Sequence, residues 1–131
     1  EVCEFRCTME KSVCSMLIEK GISFECQVLL EDNLARMEQA DGSELVSVDK
    51  EFHELLIRAT ENELFSMIME AVMIVYREWI DLVLRRVNTK EKANLLNYHK
   101  QIYNSVLERD EAAMKAAVDG HYHLISQMLA L

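Results

Sequence analysis

Hydrophobic residues recur along the whole chain, and only three glycines, Gly21, Gly42 and Gly120, break the pattern, with no proline at all. Long uninterrupted stretches of this kind favour helices joined by short connections, whereas a β-sandwich or a β-barrel would need many turn residues. The pattern therefore predicts an all-α fold of about six helices.

The predicted helices span residues 2–20, 23–40, 44–59, 60–87, 88–109 and a last stretch from 110 past 121. Thr60 and Glu63 have the spacing of a capping box ahead of an apolar run, which predicts that the fourth helix starts there. Asn88 or Thr89 is expected to cap the fifth helix, and Asp110 is expected to cap the sixth.

The fourth predicted helix is apolar on most of its faces. Such a helix is either central in a bundle or lies at a subunit interface, and the sequence is compatible with both positions. Its apolar residues are Leu64, Phe65, Ile68, Met69, Val72, Met73, Val75, Tyr76, Trp79, Ile80 and Val83. It also carries the charged residues Glu70, Arg77, Glu78 and Asp81. With these charges it is not expected to span a membrane.

The 131 residues suffice for one domain with a real core, and the formal net charge is −9. Because phosphate binding needs clustered Lys and Arg, which this sequence lacks, the charge argues against nucleic-acid binding by this segment. The cysteines form no Cys-x-x-Cys pair, and Cys3, Cys7 and Cys14 share one helix face. Free cysteines there act as small hydrophobic residues, which fits a reducing cytoplasm.

Four residues on three predicted helices carry candidate chemistry: Asp49, His53, His99 and His121. Asp49 and His53 are four residues apart, so they project from the same helix face. If His99 and His121 met them, one oxygen and three nitrogen donors would form a set that holds a divalent transition metal. His123 lies on a different face from His121, so at most one of that pair is expected to be a ligand.

Known enzymatic motifs are incomplete in this sequence. His53 and Glu54 begin like the HExxH of zinc metalloproteases, but Ile57 occupies the place of the second histidine. No Glu stands three residues before any histidine, so the Glu-x-x-His pairs of di-iron bundles are absent as well. A metal-dependent hydrolase or isomerase in a helical bundle nevertheless stays an alternative to a binding domain. So does a purely structural dimerisation module with incidental histidines.

Short segments stand in a characteristic order along the chain. Residues 49–53 (DKEFH) and 59–62 (ATEN) follow the pattern D-x-x-F-H…A-x-x-N. The pattern H-x-x-I…D is found at residues 99–102 (HKQI) and Asp110, and His121 follows Asp110 by eleven residues. Near the start of the chain, Arg6 and Glu10 form the pattern R-x-x-x-E. These segments are spread over nearly the whole chain, and in them the sequence resembles FCD domains. These are the effector-binding C-terminal halves of FadR-type regulators in the GntR superfamily.

The resemblance implies an antiparallel helical bundle that forms a homodimer. It also implies that Asp49, His53, His99 and His121 are the ligands of a divalent transition metal. Zinc is the first expectation, with nickel, manganese or iron as alternatives, because this donor set does not separate them. A small carboxylate effector is expected next to the metal or directly on it.

Arg6 is the candidate for a second contact to that carboxylate, since a guanidinium can bind it through two hydrogen bonds. A surface salt bridge with Glu10, four residues on, is the alternative. Nothing in residues 1–131 matches the winged-helix DNA-binding domain of the full regulators. The chain is therefore expected to be a single effector-binding and dimerisation domain, which reaches DNA only through that missing domain. Gly120, directly before His121, could loosen the sixth helix by about 1 kcal/mol relative to Ala.

Overall fold

Six α-helices make up the computed structural model, which describes residues 2–129 except the side chains of residues 2 and 76. They are α1 (Val2–Lys20), α2 (Phe24–Gln39), α3 (Gly42–Ala59), α4 (Glu63–Leu84), α5 (Thr89–Leu107) and α6 (Glu111–Leu129). The predicted all-α fold is confirmed. The bounds of the helices differ from the predicted ones by at most three residues.

Short polar side chains begin the last two helices by accepting hydrogen bonds from otherwise free backbone N–H groups. Asp110 Oδ1 accepts from the N–H of Ala113 at 3.0 Å, as predicted. At α5 the cap is Asn88 rather than Thr89, and Asn88 forms a reciprocal capping box with Glu91. Two orphan backbone donors are satisfied by that pair.

The predicted start of α4 at a Thr60–Glu63 capping box is wrong. Asn62 is the cap, because its side chain accepts from the N–H of Phe65 at 2.9 Å. The Thr60 hydroxyl instead donates to the carbonyl of Ile57 at 2.6 Å, so it closes the end of α3. Both residues are short and polar, and only the backbone decides between them: Thr60 is helical, whereas Asn62 has the extended backbone that a cap requires.

The core lies between α1, α3, α5 and α6, while α2 packs on α3 and α5, and α4 packs mainly on α3. The pairs α2–α3, α3–α4 and α5–α6 are in contact and joined by short connections, so they run antiparallel, as predicted. Each of the four central helices contributes a fully buried side chain: Leu17, Phe52, Ile102 and Met114. Cys14 is also fully buried, in keeping with its predicted role as a small hydrophobic residue.

The fourth helix lies at the edge of the bundle, with its inner side on α3 and an apolar face open to solvent. The large apolar side chains exposed along it are Leu64, Met67, Ile68, Ile74, Val75, Trp79 and Leu82. Of the two positions compatible with its sequence, the central one is therefore not adopted in this chain. Across residues 2–129, no helix is both long enough and apolar enough to cross a membrane.

Candidate metal centre

Asp49, His53, His99 and His121 lie together in the middle of the bundle. One potential ligand atom from each residue lies within 4.8 Å of the other three, and none of the four is more than 5% exposed. α3 contributes the first two residues, and α5 and α6 contribute one each. His123 is exposed and stands outside the cluster. Titratable side chains buried in an apolar core are costly unless they have polar partners, so their mutual contacts decide what this cluster can hold.

The ligand atoms face one another at separations that suit a common ion. His99 Nε2 is 3.0 Å from His121 Nε2, and Asp49 Oδ1 is 3.2 Å from His99 Nε2 and 3.6 Å from His53 Nε2. Ligands about 2.0–2.2 Å from one transition metal stand about 3.0–3.5 Å apart. His53 Nε2 is buried and has no hydrogen-bond partner among the described residues. This orphaned nitrogen and the donor set fit a divalent transition metal.

Glu10, on α1, contacts the other ring nitrogen of His53. Its Oε1 lies 2.6 Å from His53 Nδ1, and its Oε2 accepts a hydrogen bond from the hydroxyl of Tyr122. A carboxylate on the outer nitrogen of a ligating histidine fixes the tautomer and the orientation of the ring, and it makes the inner nitrogen a better ligand. The contact with Glu10 therefore leaves His53 Nε2 facing Asp49.

The role of Glu10 was missed in the sequence, where it figured only as a possible partner of Arg6, and Tyr122 was not identified at all. Both contacts join residues far apart in the chain, 43 positions for Glu10–His53 and 112 for Glu10–Tyr122. Spacing rules for a single helix do not reach across such distances. The available signals were the R-x-x-x-E pattern of α1 and the position of Tyr122 directly after His121.

Burial and mutual contacts give three of the four residues the protonation state that a metal ligand needs. Burial by itself raises the pKa of the Asp49 carboxyl, but His53 and His99 beside it bring this pKa well below its usual value. Burial lowers the pKa of His99. It also lowers the pKa of His121, well below the usual range, together with repulsion from the other two imidazoles. An ionised carboxylate and neutral imidazoles are the forms that bind metals.

His53 differs from the other two histidines. Burial alone lowers its pKa, but the carboxylates of Glu10 and Asp49 outweigh burial and raise the pKa to about 9. Burial raises the pKa of Glu10, yet the adjacent His53 brings it down to about 2. In the absence of a metal, His53 therefore carries a proton at neutral pH. A cation bound at Nε2 would have to displace that proton.

The close approach of α5 and α6 beside the cluster depends on a glycine. A Cβ atom on Gly120 would lie 2.8 Å from Cζ of Tyr98, and these two residues directly precede His121 and His99. The residue that the sequence suggested as a weak point of α6 therefore makes room for an aromatic ring of α5. His99 in turn stacks on Phe52, with ring centroids 4.2 Å apart and planes 7° apart.

Arg6 lies next to the cluster and is only 5% exposed. Its guanidinium carbon is 5.3 Å from the centroid of the Tyr122 ring. The predicted alternative, a surface salt bridge with Glu10, is wrong, because Glu10 is buried and contacts His53 and Tyr122 instead. No carboxylate within residues 2–129 forms an ion pair with Arg6. A buried guanidinium without such a partner is costly, so it is suited to receive an anion.

Two small cavities adjoin Arg6 and the cluster, one beside His53 and one beside Asp49. Each has a volume of about 20 Å³, which is enough for about one water molecule. Met73 of α4 lines both cavities, and Met69 lines the one beside His53. A ligand larger than water therefore needs these side chains to move.

The helical fold and the buried carboxylate–imidazole cluster are compatible with a regulatory ligand-binding domain. The family model of the FCD domain matches residues 1–124, so the chain belongs to the FCD family, as its motifs predicted. FCD domains are the effector-binding domains of GntR-family transcriptional regulators, and they often bind a metal. A search of curated proteins found no match.

Proposed function

We propose that this chain is the ligand-sensing and dimerisation domain of a bacterial GntR-type regulator, and that it binds a small organic acid at a divalent metal. The metal would be held by the four clustered residues Asp49, His53, His99 and His121. The observation that carries the proposal is the convergence of one carboxylate and three imidazoles from three helices within 4.8 Å in the core. Zinc is the first candidate, and nickel, manganese and iron accept the same donors.

The charges around the cluster favour an anionic effector. Asp49 balances one of the two positive charges of a divalent ion, and Glu10 and Arg6 cancel each other. The site therefore keeps a net charge of about +1. A bound ion would supply this charge and an open ligand position for a carboxylate oxygen. Arg6 would bind the same carboxylate from α1, because its buried guanidinium forms no ion pair within residues 2–129.

The fourth helix would link the effector to the dimer. Its inner residues Met69 and Met73 close the cavity beside Arg6 and His53, while its outer face exposes seven large apolar side chains, Trp79 among them. An apolar stripe of this extent is typical of an interface, and a second copy of the chain can pair with it symmetrically. An effector that prefers one arrangement of α4 would change the dimer geometry, and with it the spacing of DNA-binding domains outside this chain.

Metal content tests the centre of this proposal. We would measure it by plasma mass spectrometry in the purified chain, in His99→Ala and in His123→Ala, which removes an exposed histidine outside the cluster. We expect about one equivalent of a transition metal in the wild type and in His123→Ala, and little in His99→Ala. Circular dichroism would establish that each variant is folded. A wild type that takes up no metal, even on reconstitution, would rule out the four-ligand site.

A further inference from the structure

A groove between α3 and α4 adjoins the two small cavities beside the cluster. It has a volume of about 470 Å³, within the range of about 300–1,000 Å³ that is usual for small-molecule sites. Met73 lines the groove and both small cavities, and Ile57 and Met69 line the groove and the cavity beside His53. The groove and the small cavities are therefore separated by side chains that they share, and two of these are flexible methionines.

Two basic side chains stand where the groove meets the inner cavity. Lys50 of α3 and Arg77 of α4 line both the groove and the cavity that contains Arg6 and Asp49. Lys50 lies 3.5 Å from Glu54 in a partly exposed ion pair, and such pairs contribute little. Arg77 is exposed and forms no ion pair within residues 2–129. Both cations are therefore available to an anion in the groove.

The charge of the groove is opposite in sign to that of the chain. The charged residues that line it are Lys50, Arg58 and Arg77 against Glu54 and Glu70. This leaves one positive charge in excess, although the whole chain carries −9. The cavity that contains Asp49 is lined by Arg6, Lys50 and Arg77 against Asp49 and Asp81, which also leaves one positive charge in excess. A cleft lined by an excess of one sign of charge concentrates ligands of the other sign.

We propose that the effector enters through this groove and carries a second anionic group, a carboxylate or a phosphate, which Lys50 and Arg77 bind at the inner end of the groove. The inference rests on the proposed function, in which the metal and Arg6 hold the first carboxylate. A monocarboxylic acid would use the inner position alone. An acid with two anionic groups would engage both positions, and it would hold Met73 aside.

Three acids that share a propionate unit test this inference. They are propionate, succinate, which adds a carboxylate at C3, and 3-phosphonopropionate, which adds a phosphonate there. Binding to the metal-loaded protein is measured by isothermal titration calorimetry. We expect at least one of the two doubly anionic acids to bind about tenfold more tightly than propionate. In Arg77→Met, the ratio of the affinity for that acid to the affinity for propionate is expected to fall by most of this tenfold difference. Lys50→Met should act in the same direction. The tighter of the two ligands identifies the second group as carboxylate or phosphate.

Arg58→Met is the matched control, because Arg58 lines the same groove but not the inner cavities. It is expected to keep the preference. Equal affinity of the wild type for all three acids, or equal losses in Arg77→Met and Arg58→Met, would overturn the second anionic position. Metal-dependent binding of propionate in that case would leave the proposed function standing. If none of the three acids bound the metal-loaded protein, that result would contradict both this inference and the proposal that the effector is a carboxylate.

Discussion

Glu10 Oε1 lies 2.6 Å from His53 Nδ1, so a carboxylate of the first helix sets the orientation of an imidazole of the third. The same carboxylate accepts a hydrogen bond from the hydroxyl of Tyr122, which follows His121 in the sixth helix. Three of the helices around the cluster are thus joined through one buried side chain. The orientation of His53 depends on this contact as well as on its own helix.

Replacement of Glu10 by Ala is expected to lower metal affinity by about 10- to 100-fold, because His53 loses the partner that fixes its tautomer and ring orientation. Glu10→Gln, which keeps an acceptor but loses the charge, should fall between Ala and the wild type. Competition with a chromophoric chelator measures the affinity. Glu111→Ala is the control, since Glu111 is a partly buried carboxylate that accepts a hydrogen bond from Ser15, away from the cluster. Unchanged affinity in Glu10→Ala would mean that packing alone orients His53.

Stability of the metal-stripped protein is expected to be greatest near pH 6.5. The pKa of His53 is raised from 6.5 to about 9, so its stabilising contribution is complete below pH 6.5 and is lost as the pH rises through 9. The pKa values of His99 and His121 are lowered, so the folded state loses stability as the pH falls below about 6.5. Glu10, with its pKa lowered from 4.5 to about 2, adds to the loss in acid.

Urea unfolding in the presence of a chelator measures this pH profile. With metal bound, the decline above pH 6.5 should disappear, because the cation replaces the proton of His53. A metal-stripped protein whose stability kept rising into the alkaline range would show that His53 is neutral in the folded chain.

The Arg6→Met variant is expected to bind metal normally and to bind propionate about tenfold more weakly or worse, because charge-assisted hydrogen bonds to a carboxylate are lost. Arg6→Lys should be intermediate, since it keeps the charge without the fork geometry. Calorimetric titration of the metal-loaded variants measures the effect. Lys11→Met, which removes a cation of the same helix that pairs with Asp119, is the control. A parallel loss of metal and of propionate in Arg6→Met would point to a structural role.

Substitution of Gly120 by Ala is expected to destabilise the protein by on the order of 1 kcal/mol. The new Cβ would overlap the ring of Tyr98, and overpacking costs about 1–3 kcal/mol, which outweighs the gain of about 1 kcal/mol in helix propensity. Metal affinity should fall as well, because His99 and His121 move apart. Adding Tyr98→Ala should relieve the clash in a double-mutant cycle measured by chemical denaturation. A stabilised Gly120→Ala would mean that the ring moves aside at little cost.

Trp79→Glu is expected to weaken a dimer formed through α4 by at least about tenfold, because a charge would enter the proposed apolar interface, to which this 61% exposed side chain would contribute. Sedimentation over a range of concentrations measures the effect. Phe24→Glu replaces an even more exposed aromatic residue of α2 and should leave the dimer intact. If Phe5→Glu dissociated the dimer and Trp79→Glu did not, the interface would lie on α1.

The helices could be predicted from the sequence because helix formation and termination are largely local. Asn88 and Asp110 cap their helices through residues only three positions away. The connection before α4 shows the limit of this reasoning, since Thr60 and Asn62 offer the same chemistry. The start of the helix was decided by the backbone that packing of α3 and α4 imposes. The sequence also showed that the fourth helix is apolar on most of its faces, but not that this helix lies at the edge of the bundle.

For the site, the sequence by itself determined that Asp49 and His53 share a helix face, because a spacing of four residues places them there in any α-helix. His99 and His121 were candidates from their residue type, and the family motifs implied that they join Asp49 and His53 as ligands of one metal. Only the tertiary structure decided that the orientation of His53 depends on Glu10, that Arg6 forms no ion pair within residues 2–129, and that a groove with excess positive charge adjoins the cavities beside the cluster. Each of these features depends on how separate helices pack. Their angles and distances follow from the whole core, not from any segment's periodicity.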